Sequence, residues 1–327
     1  MPAVQIVIII VLVVAGVLIW RAAARFVNES LADEVAEIEP EADVPVPPKE
    51  PIGHVGPDGL IVLFADRFVD RSRPGKMVSP RAKCYAPLTD EELDAHHWAH
   101  QILYVTLIDL YEMGCIDFRV SDRMATLMPP YPQKTWEMQI CQIGPMPEAP
   151  ISDALAVAFG LLRKRANGSA ESEEERQWVT LDALIEQALK SIRQEMSFWQ
   201  RTGVFGDIRQ YVEAALIAQG YLIEPGRPTW LDRVRTQRPI PHEEGVLGLE
   251  QDAKELAERM ARFRAKHGGN LLPASDRETE ALREADPALL APPEGAPELP
   301  LDEVLRMSIY ETLLAIRQLE PSGDAGV

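Results

Sequence analysis

Cysteine is nearly missing from this chain. Cys84, Cys115 and Cys141 are odd in number, far apart and without CxxC spacing, which argues against a disulfide-stapled scaffold and a zinc site. They read as reduced thiols, so a reducing compartment is expected. Positive charge is short as well: 33 lysines and arginines stand against 51 acids, a formal net charge of −18. Such a balance opposes nucleic-acid binding, where basic side chains must replace phosphate counterions. Catalytic signatures are lacking too. No GxSxG, GxxxxGK[ST] or GxGxxG occurs, so no nucleophile elbow or phosphate-cradling loop is recognisable. The expectation is a protein without catalytic activity and without a cofactor.

One long apolar run stands out. Val4 to Trp20 has one polar residue, Gln5, and no charge, and Arg21 and Arg25 follow it. With its flanking alanines it is long enough to cross a hydrocarbon layer of roughly 30 Å as a helix. Val4, Ile8, Val11 and Leu18 would face lipid, Trp20 and Phe26 suit the interfacial belt, and the arginines mark the cytoplasmic side. The alternative is a cleaved signal at Ala22–Ala24, but no positive region precedes the apolar core. The expected location is a cell inner membrane or plasma membrane, single-pass, with the bulk of the chain cytoplasmic and the bilayer as one partner.

Behind the anchor (1–27), eight acids and five prolines in Asn28 to Pro51 predict an extended linker over 28–58. GLIVLF, Gly59 to Phe64, reads as a buried strand. Arg67, Arg71, Arg73, Lys76, Arg81 and Lys83 follow as a solvated loop or a contact to anionic headgroups. Thr89 and Glu92 form a capping-box pattern that predicts a helix over 90–113, ended by Gly114. Alternation in Cys115–Val120 and Trp136–Cys141 predicts a hairpin. Helices are expected after Pro150, over 182–201 and over 207–219, with Trp178–Leu181 a short strand.

An internal repeat appears at an offset of 106. Leu107 to Ile116 aligns with Glu213 to Leu222, with identity at Leu110/Leu216 and Gly114/Gly220. The shared pattern is helix, left-handed stop and apolar strand, as in the last helix and wing of a winged-helix fold. It divides the chain into a first unit over 59–146 and a second over 151–240. In the second, Trp178–Leu181 is expected to pair with Tyr221–Ile223. The fold class is mainly α with short β hairpins: a single transmembrane helix, tandem winged-helix-like units and C-terminal helices.

The order ISDALAVAFG, WVTLDALIEQAL, IRQYVEAALIAQGYLIE resembles the cytoplasmic region of uncharacterised bacterial predicted membrane proteins. In those, a membrane segment precedes a helix, a VxLxxL strand-to-helix step and an xxGYL helix end. The resemblance covers roughly Glu91 to Glu224. Those families carry further membrane segments or a glycine-rich tail that this chain lacks, and they bring no catalytic residues with them.

Three side-chain groups remain. On a helix, Glu92, His96 and His100 would share one face at i, i+4 and i+8, a spacing that can hold a metal. They lack the HExxH arrangement and a further ligand, so a polar helix face is the plainer reading. Arg227, Arg233, Arg235 and Arg238 make a short basic segment, while the helix over 207–219, which would enter the groove of a duplex, offers only Arg209 against Asp207 and Glu213. A membrane-bound transcription regulator is therefore the weaker alternative. Last come an amphipathic helix over 246–268, a Pro/Ala/Glu-rich linker over 269–300 and a helix over 301–320. In that final helix Leu301, Val304, Leu305, Ile309, Leu313 and Ile316 form one stripe. An isolated helix is marginal in water. The stripe must dock on the chain's own core, enter a partner's groove or self-associate. The functional expectation is a membrane-anchored scaffold or protein-interaction module.

Overall fold

The computed structural model describes residues 51, 53–72, 84–125, 133–166, 178–196, 202–224, 239–268 and 301–320. The expected anchor, with Val4, Ile8, Val11, Leu18, Trp20, Arg21 and Arg25, lies outside the described residues. So do residues 28–50 of the linker expected over 28–58, the linker over 269–300 and the basic segment 225–238. The end of the first linker is packed instead of extended, with Val55, Pro57 and Asp58 buried. Among the described residues no helix is long and apolar enough to cross a membrane. The chain is mainly helical, with short antiparallel strand hairpins.

The expected strand at Gly59–Phe64 is a helix. Pro57 opens α1 (Pro57–Leu63) in the position where its missing N–H has no cost. Leu60, Ile61, Val62 and Leu63 are all at most 2% exposed. A short apolar run shows burial but not period, and here every side of the helix is covered. It packs on the helices Ala95–Glu112, Val204–Gln219 and Glu250–His267, while the single turn α2 (Ala65–Phe68) continues it. Two residues of the expected basic loop are engaged nearby: Arg67 reaches Glu250 at 3.1 Å, and Arg71 pairs with Glu91.

A two-residue pair, β1 (Cys84–Tyr85) and β2 (Glu92–Leu93), precedes the central helix α3 (Ala95–Glu112). That helix starts later than its capping-box pattern suggested. Asp94, not Thr89, is the cap: its carboxylate accepts the His96 and His97 backbone N–H groups at 3.0 and 3.1 Å. Glu92 is thereby left in a strand.

The repeat is visible in atomic detail. At the end of α3 the Cys115 N–H reaches Leu110 O at 2.8 Å and the Gly114 N–H reaches Tyr111 O at 2.9 Å. At the end of α6 (Val204–Gln219) the Tyr221 N–H reaches Leu216 O at 2.9 Å and the Gly220 N–H reaches Ile217 O at 3.0 Å. Both are Schellman closures, and both put glycine at positive φ, +68° and +87°.

The strands beyond diverge. β3 (Ile116–Ala125) pairs with β4 (Gln133–Gln142) in register Ile116↔Gln142, whereas β6 (Leu222–Ile223), among the described residues, pairs only with β7 (Ile240–Pro241). Between them lie α4 (Pro150–Ala166), β5 (Trp178–Thr180) and α5 (Leu181–Glu195). β5 does not join β6. It pairs antiparallel with β4, Ile140↔Val179, across the boundary drawn between the units. Ile140 is fully buried and Cys141 nearly so, making β4 the central strand of a three-stranded sheet. α5 also stops short of the expected Arg201, with extended backbone at Met196.

α4 packs along α5, and α3 packs on α6, so residues 59–146 and 151–240 contribute to one continuous apolar core. After the short α7 (Glu243–Leu247), α8 (Glu250–His267) buries Leu256, Met260 and Phe263 against α1 and α3. Its Arg259 meets the buried Asp109 at 2.7 Å. Burial pushes the Asp109 carboxyl above its ordinary range, and Arg259 opposes that shift.

Candidate functional site

The last helix, α9 (Leu301–Leu319), is not isolated. It lies in a groove of its own chain formed by α3, α5, α6, α8 and β4. Amphipathic spacing determines which side faces in: Leu305, Ile309 and Leu313 are fully buried and Val304 is 8% exposed. Leu301 and Ile316 pack against the same core at its edges. Each fully buried aliphatic side chain contributes roughly 1.5–3 kcal/mol. Of the three fates open to the stripe, this structure shows docking in cis.

Both ends of α9 are held by polar groups. At the first turn Tyr104 of α3 donates a hydrogen bond to the buried Asp302 carboxylate. Arg306 lies on the same spot, donating to Asp302 at 3.2 Å and to the Tyr104 hydroxyl at 2.7 Å. Its guanidinium stands 3.9 Å from the centre of the Tyr104 ring. A His100 ring nitrogen meets the Arg306 carbonyl at 3.2 Å.

At the far end Glu320 accepts the Val204 N–H at 3.1 Å, at the positive end of α6, and pairs with Arg193. Arg193 also donates to Asp207 at 2.7 Å, and Asp207 in turn accepts the Thr202 N–H at 2.9 Å. Burial lowers the Arg193 pKa, but its hydrogen bonds to Glu320 and Asp207 outweigh that and raise it. This cluster joins three helices, since Arg193 ends α5, Asp207 starts α6 and Glu320 follows α9.

The expected metal face is rearranged by this docking. Glu92 sits on β2, so it does not continue the helical face of His96 and His100. His96 lies between rings, 4.7 Å from Phe205 and 4.4 Å from Tyr310 of α9. His97 accepts the Asp70 N–H at 2.9 Å. Two of the three candidate residues thus contact α9, a role that helical spacing alone did not disclose. Among the described residues no group of three or more His, Cys, Asp or Glu is placed to hold a metal ion.

A second concavity of about 1440 Å³ lies along the other side of α6, between the 85–90 turn and Pro147–Pro150. Asp90, Glu148, Asp153, Glu195 and Glu224 line it. Burial raises the Asp153 pKa, with Glu148 and Glu195 adding to the effect. The one arginine of α6 lines it as well, with Glu213, and is paired there: Arg209 lies 3.3 Å from Glu213 and 5.4 Å from the Trp98 ring centre.

No family model matches this chain, and no curated protein or solved structure matches it.

Proposed function

We propose that this chain is a non-catalytic interaction module, tethered to the cytoplasmic face of a bacterial inner or plasma membrane, whose interaction element is the groove that holds α9. The observation carrying this reading is an amphipathic helix seated in a groove of its own chain, with Asp302 and Glu320 held at its two ends. Helix-in-groove recognition reads an apolar stripe and fixes register with polar contacts. Here both parts are present. The uncharged run Val4–Trp20 followed by Arg21 and Arg25 supports the tether, and a tether raises local concentration at the membrane. The helix–glycine–hairpin ends of α3 and α6 support a winged-helix-like origin for the scaffold.

A duplex-reading role has less support. The groove-facing helix of such a reader needs outward basic residues. Arg209 is spent on Glu213 and Trp98, and the cleft beside α6 is lined with acids. The metal alternative has less support too, because His96 and His100 pack against α9 and Glu92 stands on a separate strand.

The test is crosslinking and pull-down from membranes, comparing the full chain with one ending at Gly269. The two should recover different partner sets, because removing α9 both opens the groove and deletes its ligand. Identical sets would remove the groove as the interaction element.

A further inference from the structure

We propose that the groove also receives the α9 of a second copy of this chain, so that membrane-held copies exchange C-terminal helices; this deepens the reading above and rests on it. The groove is specific at both ends. It engages an acid at the first turn, through Tyr104, and another eighteen residues later, through Arg193 and the Val204 N–H. Those acids are about 27 Å apart along a helix, with Leu305, Ile309 and Leu313 between them. Every copy of the chain carries a helix that meets this demand.

Two further features permit exchange. The groove walls hold one another without α9, since α3 packs on α6 and α8, and α5 packs on α4 and α6. The chain between Gly268 and Leu301 is thirty-two residues, 269–300. Fully extended, that many residues span at most roughly 110 Å, a length sufficient to reach the groove of a neighbouring copy. Exchange reproduces the same contacts, and its cost is mainly that of bringing two copies together. Attachment to one membrane surface lowers that cost. The two histidines of α3 that meet α9 need no change of role, because an incoming Tyr310 and Arg306 would meet His96 and His100 as the resident ones do.

The experiment uses the full chain in phospholipid vesicles, mixing a ¹⁴N and a ¹⁵N preparation that carry p-benzoylphenylalanine in place of Tyr310. After illumination, adducts between position 310 and peptides of α3 or α6 are sorted by isotope. Exchange predicts mixed-isotope adducts as a substantial share of the total, with half as the limit reached only when every α9 docks in another copy. They should fall steeply when the two preparations are kept on separate vesicles.

Adducts of one isotope only would overturn the exchange while leaving the groove reading to its own pull-down test. Mixed adducts joining position 310 to position 310 would mark a dimer without exchange, and would equally overturn the proposal. No adduct with α3 or α6 in either isotope would overturn the docked helix and the reading beneath it.

Discussion

Asp58 has both carboxylate oxygens engaged by backbone. One accepts the Gly59 N–H and the other the Ile151 N–H, each at 2.9 Å, so a residue of α1 caps the start of α4. Burial pushes its pKa up, and those two hydrogen bonds pull against the shift. Replacing Asp58 with alanine leaves two N–H groups without this acceptor and should cost roughly 1–3 kcal/mol, read from the denaturant midpoint. His267 behaves differently. It ends α8, with ring centroids 5.6 Å from Tyr111 and 4.9 Å from Phe263. Burial lowers its pKa, Lys266 adds to that, and Glu112 and Asp302 oppose it. The folded state therefore takes up a proton later than the unfolded chain as pH falls. The His267 contribution is whole above the unfolded value near 6.5 and is lost as pH drops through the depressed folded value. Between about pH 7.5 and about pH 5 the thermal midpoint should fall further for the wild type than for His267→Gln.

At the scale of elements, α9 is held chiefly by its three fully buried side chains, Leu305, Ile309 and Leu313. Leu305→Ala, at a fully buried position, should cost roughly 2–5 kcal/mol, or less where the helix leaves its groove instead of unfolding the core. Tyr310 is 47% exposed, so Tyr310→Ala should cost well under about 1 kcal/mol. Equilibrium denaturation of both variants, with proteolysis inside 301–320 to detect release, makes the comparison.

Elements with periodic pattern or special backbone were legible in the sequence: the central helix, the 116–142 hairpin, α8, α9 and the two glycine stops. Two were not. GLIVLF is covered on every side, so nothing in its pattern distinguishes helix from strand, and only Pro57 hinted at the answer. The choice between Asp94 and Thr89 as cap was likewise undecidable from spacing, because both supply an acceptor oxygen. The partner of β5 was out of reach for another reason. Strand pairing between distant segments is decided by packing, and Trp178–Thr180 is too short to specify a partner. The site was half legible: the stripe of α9 could be named, but not the residues that receive it. His96 and His100 read as part of a polar helix face, and no pattern in the sequence marks Tyr104 or Arg193 as groups that receive the last helix.

On the scale of the whole molecule, the proposed tether has to be a strong attachment, because a formal net charge of −18 favours neither anionic headgroups nor nucleic acid. The run Val4–Trp20 should supply it. Full-length protein should sediment with membranes and resist alkaline carbonate, and added protease should spare its bulk in intact spheroplasts. Recovery in the soluble fraction, or digestion from outside, would refute the tether.

The most direct measurement for the account is hydrogen exchange on the full chain in vesicles, followed over residues 301–320. Docking in cis or by exchange predicts amides of α9 protected to nearly the level of α5. It also predicts that ending the chain at Gly268 raises exchange in the groove walls of α3 and α5 while α1 and α4 stay closed. Exchange in 301–320 at the rate of an unstructured peptide, with α3 and α5 indifferent to the truncation, would contradict it.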